Sequence, residues 1–293
     1  MILSVLEALA ALYLFSLSRR ACLAVDLTMV ADAFDDQYIG CTRQMEREMP
    51  NILAQEKKYK EFAIMWYLAE QRWEKIKPYG LFPQDFKDEY GIAVTLYTKE
   101  GPYPIYQQLN RNMSTAGRSR DHYMKNFHFK ALHFYLTRAI QVLGDGATCD
   151  QRSQVYRGSW MTYRNVSQDV RFGQFASSSL NWKIAQRFGT RTQFIIFSCF
   201  GVNIEIFSDF KEEEVLIPAS EKFHAIKKSD DAYVLRSTGQ HCSYYNCAYL
   251  GGERRQNPIC SDAPDTFHFF ISKQTQFAIE LLLIFYLWFT HLY

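Results

Sequence analysis

The spacing of hydrophobic residues predicts helices in the first half of the chain. In EFAIMWYLAEQRWEKIK (61–77) apolar side chains recur at helical spacing and mark one buried face. Pro78 and Gly80 are typical of a helix end and follow directly. A second helix is predicted over FHFKALHFYLTRAIQVL (127–143), with Gly144 as its stop.

The pattern changes to short β-type runs from about residue 150. Bounded by Gly, Pro, Asp or Asn, they are QVYRGS (154–159), VRFGQFASSSL (170–180), TQFIIFSCF (192–200), EVLIP (214–218) and AYVLRST (232–238). One short helix, NWKIAQRFG (181–189), is predicted among them. Helices first and strands second predict an α+β architecture, with a helical part over about 25–148 and a β-rich part over about 149–250.

The first residues carry an apolar run of the length found in signal peptides. It covers residues 1–17, and small residues follow up to Ala24. Glu7 stands where a basic start is usual, and two arginines lie close to the expected cut. We expect residues 1–24 to be a signal peptide removed after Ala24. A retained signal anchor is the alternative.

The last residues, 277–293, are apolar to the chain end apart from one Glu and one His. This length is barely enough to cross a bilayer, and no basic segment follows. Small residues at Ser261 and Ala263, then a polar spacer, precede the run, which is the layout of a glycolipid-anchor signal. We expect 262–293 to be a propeptide carrying a GPI-anchor signal and 25–261 to be a single domain. A transmembrane stub is the alternative.

Charge and cysteine content narrow the partners and the compartment. The net charge of +2 gives no broad basic field, so nucleic acid is not an implied partner. Removal of the leader leaves an even number of cysteines, as expected for an exported, disulfide-bonded protein with fifteen possible pairings. They are Cys41, Cys149, Cys199, Cys242, Cys247 and Cys260. No metal-ligand spacing appears, so no metal site is predicted. Sequons begin at Asn112 and Asn165 and predict glycosylation there.

Three segments of the β-rich half are informative because of the order in which they occur. They are VYRGS (155–159), FASSSL (175–180) and EEEVLIP (212–218). Together they resemble the R-S-E signature of the arginine-specific mono-ADP-ribosyltransferases, in which an Arg is followed by S-x-S and then by E-x-E. Further blocks resemble the vertebrate ectoenzyme branch of that family, namely FDDQYIGC (34–41), FHFKALHFYLTRAIQVL and YNC (245–247). The resemblance spans residues 34–247 and implies an NAD-binding core in the β-rich half.

The resemblance implies that NAD is a co-substrate and that no cofactor is tightly bound. Nicotinamide leaves as a neutral molecule and positive charge develops on the ribose, so a fixed carboxylate beside that carbon stabilises the transition state. The family pattern gives this role to Glu214 and makes Glu212 the acid that selects an acceptor arginine. In an extended segment both would lie on one face, with Glu213 pointing away. Such close carboxylates should raise one of their pKa values.

The same resemblance implies the NAD contacts. Arg157 pairs with the phosphates, Gly158 admits the nicotinamide carboxamide, and Ser177 orients Glu214, whereas Ser179 supports its strand. Phe175 or a nearby aromatic residue stacks on the nicotinamide. Weaker expected contacts of the family cleft are Tyr97, Arg171 and Ser208.

Two disulfides are implied by the resemblance, Cys41–Cys247 and Cys149–Cys199. Cys242 and Cys260 then remain, either paired with each other or free.

The expected function is transfer of ADP-ribose from NAD to arginine side chains of extracellular or cell-surface proteins. The expected location is the outer face of the cell membrane, held by a lipid anchor, with secretion as the alternative. Two rival functions stay open: an NAD glycohydrolase, which the acid at Glu212 argues against, and an inactive surface antigen of the same fold.

Overall fold

The computed structural model describes residues 24–144, 149 and 153–262. The expected leader lies outside these residues except for Ala24, and the expected anchor signal lies outside them except for Asp262. The helices in chain order are α1 Thr42–Glu56, α2 Lys60–Ile76, α3 Asp88–Thr98, α4 Ile105–Ala116, α5 Arg120–Asn126, α6 Lys130–Leu143 and α7 Trp182–Ala185. Short 3₁₀ turns are Lys77–Tyr79, Gln186–Phe188, Glu205–Phe207 and Ala248–Leu250. No helix in the described part of the chain is long and apolar enough to cross a membrane.

The strands fall mostly in the second half. They are β1 Ala24–Leu27, β2 Ser153–Ser159, β3 Thr162–Val166, β4 Asp169–Val170, β5 Ala176–Ser179, β6 Thr192–Ser198, β7 Val202–Asn203, β8 Glu214–Ile217, β9 Glu221–Lys227, β10 Ala232–Ser243 and β11 Ile259–Asp262. The main sheet has the order β4-β9-β10-β6-β2-β5-β8-β7, with β11 beside β10, and β1 pairs with β3 in a small second sheet. The α+β architecture is confirmed.

The predicted buried face of α2 is confirmed. Its apolar residues at helical spacing are all buried: Phe62, Met65, Trp66, Ala69, Trp73 and Ile76. Helix α6 begins at Lys130, three residues later than predicted, because the buried carboxylate of Glu56 accepts the backbone N–H groups of Ala131 (2.8 Å) and Leu132 (3.4 Å) and fixes the helix start there. Such a partner, distant in sequence, cannot be found from the local pattern.

The predicted strand over 170–180 is divided in two. β4 ends at Val170 and β5 begins at Ala176. Between them Gly173 has φ +64°, in the left-handed region that favours glycine, so the chain turns away from the sheet. β9 was not predicted, because its Glu221 is a buried carboxylate that accepts the Ser198 hydroxyl at 2.6 Å and does not fit an alternating apolar pattern.

Three disulfides are present among the described residues. Cys41 joins Cys247, Cys149 joins Cys199, and Cys242 joins Cys260. The first ties the start of α1 to the segment after β10, 206 residues away. The third joins β10 to β11 and gives the pairing that the sequence left open.

Candidate active site

A cleft of about 400 Å³ opens where the centre of the main sheet meets α3 and α4. The sheet order places β2, β5 and β8 side by side, and these strands carry Arg157, Ser177 and Glu214. All three residues line the cleft, together with Glu212. The three motifs of the sequence therefore meet in one crevice because their strands are neighbours in the sheet.

Arg157 lies at the floor of the cleft. Its Nη1 donates a hydrogen bond to the carbonyl oxygen of Ser177, and its guanidinium carbon lies 5.8 Å from the centre of the Phe172 ring. These contacts fix the plane of the guanidinium, which is half-buried and keeps donors available to a ligand. A planar cation held in this way suits the oxygens of a phosphate group.

Glu214 is the buried acid of the cleft, with 7% of its surface exposed. Burial is the main cause that raises the pKa of Glu214 to about 7, and the nearby Glu212 raises it further. A hydrogen bond with Ser177 and the charge of Arg157 lower it in part. The expectation that close carboxylates raise a pKa agrees in direction, but desolvation is the larger cause.

Ser177 lies beside both Glu214 and Tyr97. Its side chain is close enough to each of them to lower that residue's pKa. The Tyr97 hydroxyl donates to the Phe175 carbonyl at 3.1 Å and accepts from Nδ2 of Asn110 at 3.0 Å. Burial raises the pKa of Tyr97 to about 12, so the phenol stays neutral and remains a donor. Tyr97 is thus fixed by Phe175 and Asn110 at a position beside Ser177.

Glu212 reaches the cleft through a turn and not through an extended segment. Glu213 has φ +49°, so the backbone between the two acids is left-handed and β8 begins only at Glu214. Glu212 and Glu214 line the cleft, and the Glu213 carboxylate instead accepts a hydrogen bond from Asn181 at 3.0 Å. Burial, with a smaller contribution from Glu100, raises the pKa of Glu212.

Arg171 does not line the cleft, and the expected cofactor contact is corrected to a structural role. Its side chain is fully buried and forms an ion pair with Asp35, Nη1 to Oδ2 2.7 Å. Its remaining donors go to the carbonyl oxygens of Met29 and Cys242. Asp35 also accepts the backbone N–H of Tyr244 at 2.9 Å. A guanidinium that is fully buried and held by these four hydrogen bonds is not accessible to NAD.

Phe175 and Ser208 also lie outside the cleft lining. Phe175 is 1% exposed and packs against Tyr97 in the core, so its ring is not available to stack on a ligand. Ser208 is buried, and its hydroxyl accepts the backbone N–H of Phe210 at 3.1 Å. Aromatic side chains that line the cleft and are available to a ligand include Phe188, which is 49% exposed, and Trp160, which is 63% exposed.

Gly158 lines the cleft, but the structure gives a further reason for the glycine. A Cβ at this position would lie 2.3 Å from the carbonyl oxygens of Ala185 and Gly189. The absent side chain therefore lets the segment from α7 to Gly189 pack directly on β2, which brings Phe188 to the cleft.

Several residues of the cleft were not found from the sequence. They are Thr98, Glu100, Tyr106, Gln107, Asn110, Tyr156, Ser159, Trp160, Met161, Ser178, Ala185, Phe188 and Phe210. Most belong to helix ends and loops that the tertiary fold brings to the sheet, and an exposed aromatic residue such as Trp160 carries no local signal of its neighbours.

The two sequons have different surroundings. Asn165 is exposed on β3, with its amide donating to Asp26 at 2.9 Å. Asn112 is half-buried within α4 and its amide donates to the Gln108 carbonyl at 2.8 Å. Glycosylation at either position stays a prediction.

Comparison with known proteins gives a consistent result. The family model described as NAD:arginine ADP-ribosyltransferase matches residues 27–243. Ecto-ADP-ribosyltransferase 5 of Rattus norvegicus is 40% identical over 254 residues, covering 82% of this chain and 82% of the relative. GPI-linked NAD(P)(+)--arginine ADP-ribosyltransferase 1 of Homo sapiens is 37% identical over 257 residues, covering 80% and 78%.

A solved structure is similar over most of the chain. A mutant of the eukaryotic mono-ADP-ribosyltransferase ART2.2 in complex with NAD superposes with a TM-score of 0.69 at 36% identity. The match covers 77% of this chain and 99% of that one.

Proposed function

Because the chain belongs to the NAD:arginine ADP-ribosyltransferase family, we propose that it transfers ADP-ribose from NAD to the guanidinium group of arginine and releases nicotinamide. The observation that carries the proposal is the convergence of Arg157, Ser177, Glu212 and Glu214 on one cleft. The cleft volume of about 400 Å³ lies within the usual range for small-molecule sites.

In the proposed mechanism, Arg157 and Phe188 bind NAD. The guanidinium of Arg157 binds the phosphates of NAD, and Phe188 offers a ring face to the nicotinamide. Ser177 lies beside the carboxylate of Glu214, and Tyr97 lies beside Ser177, where Asn110 and the Phe175 carbonyl hold its hydroxyl. Because these contacts exist before substrate arrives, little reorganisation is needed when charge develops.

The chemical half of the mechanism requires two acids with different roles. The bond between the ribose C1 and the nicotinamide nitrogen breaks, and its electron pair leaves with neutral nicotinamide. Glu214 stabilises the positive charge that remains on the ribose. Glu212 binds the acceptor guanidinium and takes its proton as the guanidine nitrogen attacks the opposite face of C1, with inversion. The raised pKa of Glu212 makes it a better proton acceptor than an exposed carboxylate.

The test uses the purified domain with labelled NAD and agmatine, a small guanidine acceptor. We expect ADP-ribosyl-agmatine to exceed free ADP-ribose among the products. Free ADP-ribose as the sole product would support an NAD glycohydrolase, and failure of the folded protein to bind NAD in calorimetry would support the inactive surface antigen.

The location and acceptor are part of the same proposal. We infer that the domain acts outside the cell on arginine-bearing surface or secreted proteins, held by a lipid anchor added near residue 261. The apolar runs at both ends of the sequence and the three disulfides support this inference. Release of the protein from intact cells by a phosphatidylinositol-specific phospholipase would support the anchor, and retention would support a membrane-spanning segment.

A further inference from the structure

The turn between the two cleft acids has a strained backbone. Glu213 is not a glycine, yet it adopts φ +49°. L-residues adopt this left-handed region only where neighbouring contacts hold them there. Because Glu213 is left-handed, the carboxylate of Glu212 turns back toward the cleft that Glu214 already lines. The position of Glu212 therefore depends on whatever holds Glu213.

Three hydrogen bonds from the end of β5 hold this turn. The Ser179 hydroxyl donates to the Glu212 carbonyl at 2.7 Å, and the Leu180 backbone N–H donates to the Glu213 carbonyl at 3.0 Å. Nδ2 of Asn181 donates to Oε1 of Glu213 at 3.0 Å. The last is the only bond of the three that joins two side chains, and it acts on the strained residue itself.

Asn181 connects the turn to helix α7, whose Ala185 also lines the cleft. Its Oδ1 accepts the backbone N–H of Lys183 at 3.0 Å and caps α7, the helix that leads to Phe188. Its backbone N–H donates to the hydroxyl of Ser179 at 3.0 Å. The side-chain amide of Asn181 thus uses Nδ2 to hold the turn that carries Glu212 and Oδ1 to cap α7.

Glu214 does not depend on this amide. It is the first residue of β8, it pairs with Ser179 of β5, and its carbonyl accepts the backbone N–H of Ile204 at 2.9 Å. Its carboxylate lies beside Ser177, which lowers its pKa, and no contact between this carboxylate and Asn181 is needed to place it on the strand. Loss of the contact between Asn181 and Glu213 should therefore displace Glu212 while the acid beside the ribose stays in place.

We propose that Asn181 is a positioning residue that sets acceptor choice, since it holds the Glu213 turn and so keeps Glu212 where it can bind a guanidinium. The inference rests on the proposed transfer reaction and deepens it. When the hydrogen bond between the side chains of Asn181 and Glu213 is lost, NAD cleavage continues and water competes more successfully with the guanidine acceptor.

The test exchanges donor and acceptor across this contact. Asn181→Asp keeps an oxygen to cap α7 but faces the Glu213 carboxylate with a second carboxylate. We expect the KM for agmatine to rise and the ratio of ADP-ribosyl-agmatine to ADP-ribose to fall, each on the order of tenfold, which corresponds to the loss of one hydrogen bond to a charged group. The KM for NAD should stay within about twofold. The double variant Asn181→Asp with Glu213→Gln restores a hydrogen bond in the reversed direction and should recover most of the transfer ratio.

Two further variants separate the inference from a general folding role. Glu213→Gln alone keeps the acceptor oxygen and should behave like the parent. Glu213→Ala removes the acceptor, leaves the cap on α7 intact, and should lower the transfer ratio as Asn181→Asp does. Parallel loss of transfer and hydrolysis in Glu213→Ala, or a double variant that folds without recovery, would overturn the inference. Absence of transfer in the unaltered protein would instead overturn the proposed function.

Discussion

Glu214 should destabilise the fold at neutral and alkaline pH, and Glu214→Gln should relieve that cost. The carboxyl is buried, and its pKa rises from 4.5 to about 7 on folding. The folded protein therefore binds this proton more tightly than the unfolded chain does. Between these two pKa values stability falls as pH rises, and above pH 7 the whole penalty is present.

The size of the effect follows from the shift. A difference of roughly 2.5 pKa units at about 1.4 kcal/mol per unit gives about 3 to 4 kcal/mol. The side-chain amide of glutamine is uncharged at every pH. The Glu214→Gln variant therefore lacks this contribution to the pH dependence of the free energy of unfolding. We therefore expect Glu214→Gln to gain about 3 kcal/mol relative to the parent on going from pH 4 to pH 8. The same variant should lose both transfer and hydrolysis, because the ribose cation loses its fixed counter-charge.

Denaturant unfolding of the disulfide-intact domain at pH 4 and pH 8 measures this difference. Other buried carboxyls, such as Asp36 and Glu56, also titrate, but they contribute equally to parent and variant and cancel in the comparison. Glu213→Gln is the matched control, because it makes the same chemical change one residue earlier and outside the cleft. A relative stability of Glu214→Gln that does not change between the two pH values would refute the argument from burial.

Four further outcomes are expected. Glu212→Gln should lower transfer to agmatine by about 10²-fold or more, as for loss of a general base, while ADP-ribose production from NAD is partly spared; equal loss of both contradicts separate roles for the acids. The kcat/KM for NAD should fall about tenfold per pH unit below about pH 7, as Glu214 is protonated, and a flat profile in rate assays down to pH 5 would contradict this. Gly158→Ala should unfold at lower temperature in a thermal melt, because its Cβ would meet backbone oxygens at 2.3 Å; an unchanged Tm would contradict the packing role. Replacement of Cys41 and Cys247 by serine should destabilise the domain by about 4 kcal/mol in denaturant unfolding, given the long loop that the bond closes; a loss below about 1 kcal/mol would argue against that cross-link.

The sequence was sufficient for the residues whose chemistry and order carry the signal. Arg157, Ser177 and Glu214 were identified from three short segments, and the structure brings them to one cleft. Helix α2 was predicted because the apolar residues of its buried face recur at helical spacing along the sequence. In both cases the information is local, or depends only on the order of local motifs.

The expectations that were corrected depend on contacts distant in sequence. Arg171 is paired with Asp35, 136 residues away, and no local pattern distinguishes a buried structural arginine from one that faces a ligand. The turn at Glu213 has the same cause, since its left-handed backbone is held by Asn181, 32 residues earlier. The spacing of the three glutamates predicted an extended segment. That backbone conformation is wrong at Glu213, although Glu212 and Glu214 do both line the cleft.

The two cleft acids, Glu214 and Glu212, therefore differ mainly in the contacts that hold them in position, and this difference matters more than the repulsion between their charges. Glu214 belongs to a strand that is paired with β5, so we expect its position to survive changes at the Glu213 turn. Glu212 is fixed by side chains that meet at a turn, so small changes there can move it without disturbing the first acid. In the proposed reaction, NAD cleavage requires the first acid, and acceptor choice requires the second. It follows that the acceptor of such an enzyme can be altered through residues that touch neither NAD nor arginine.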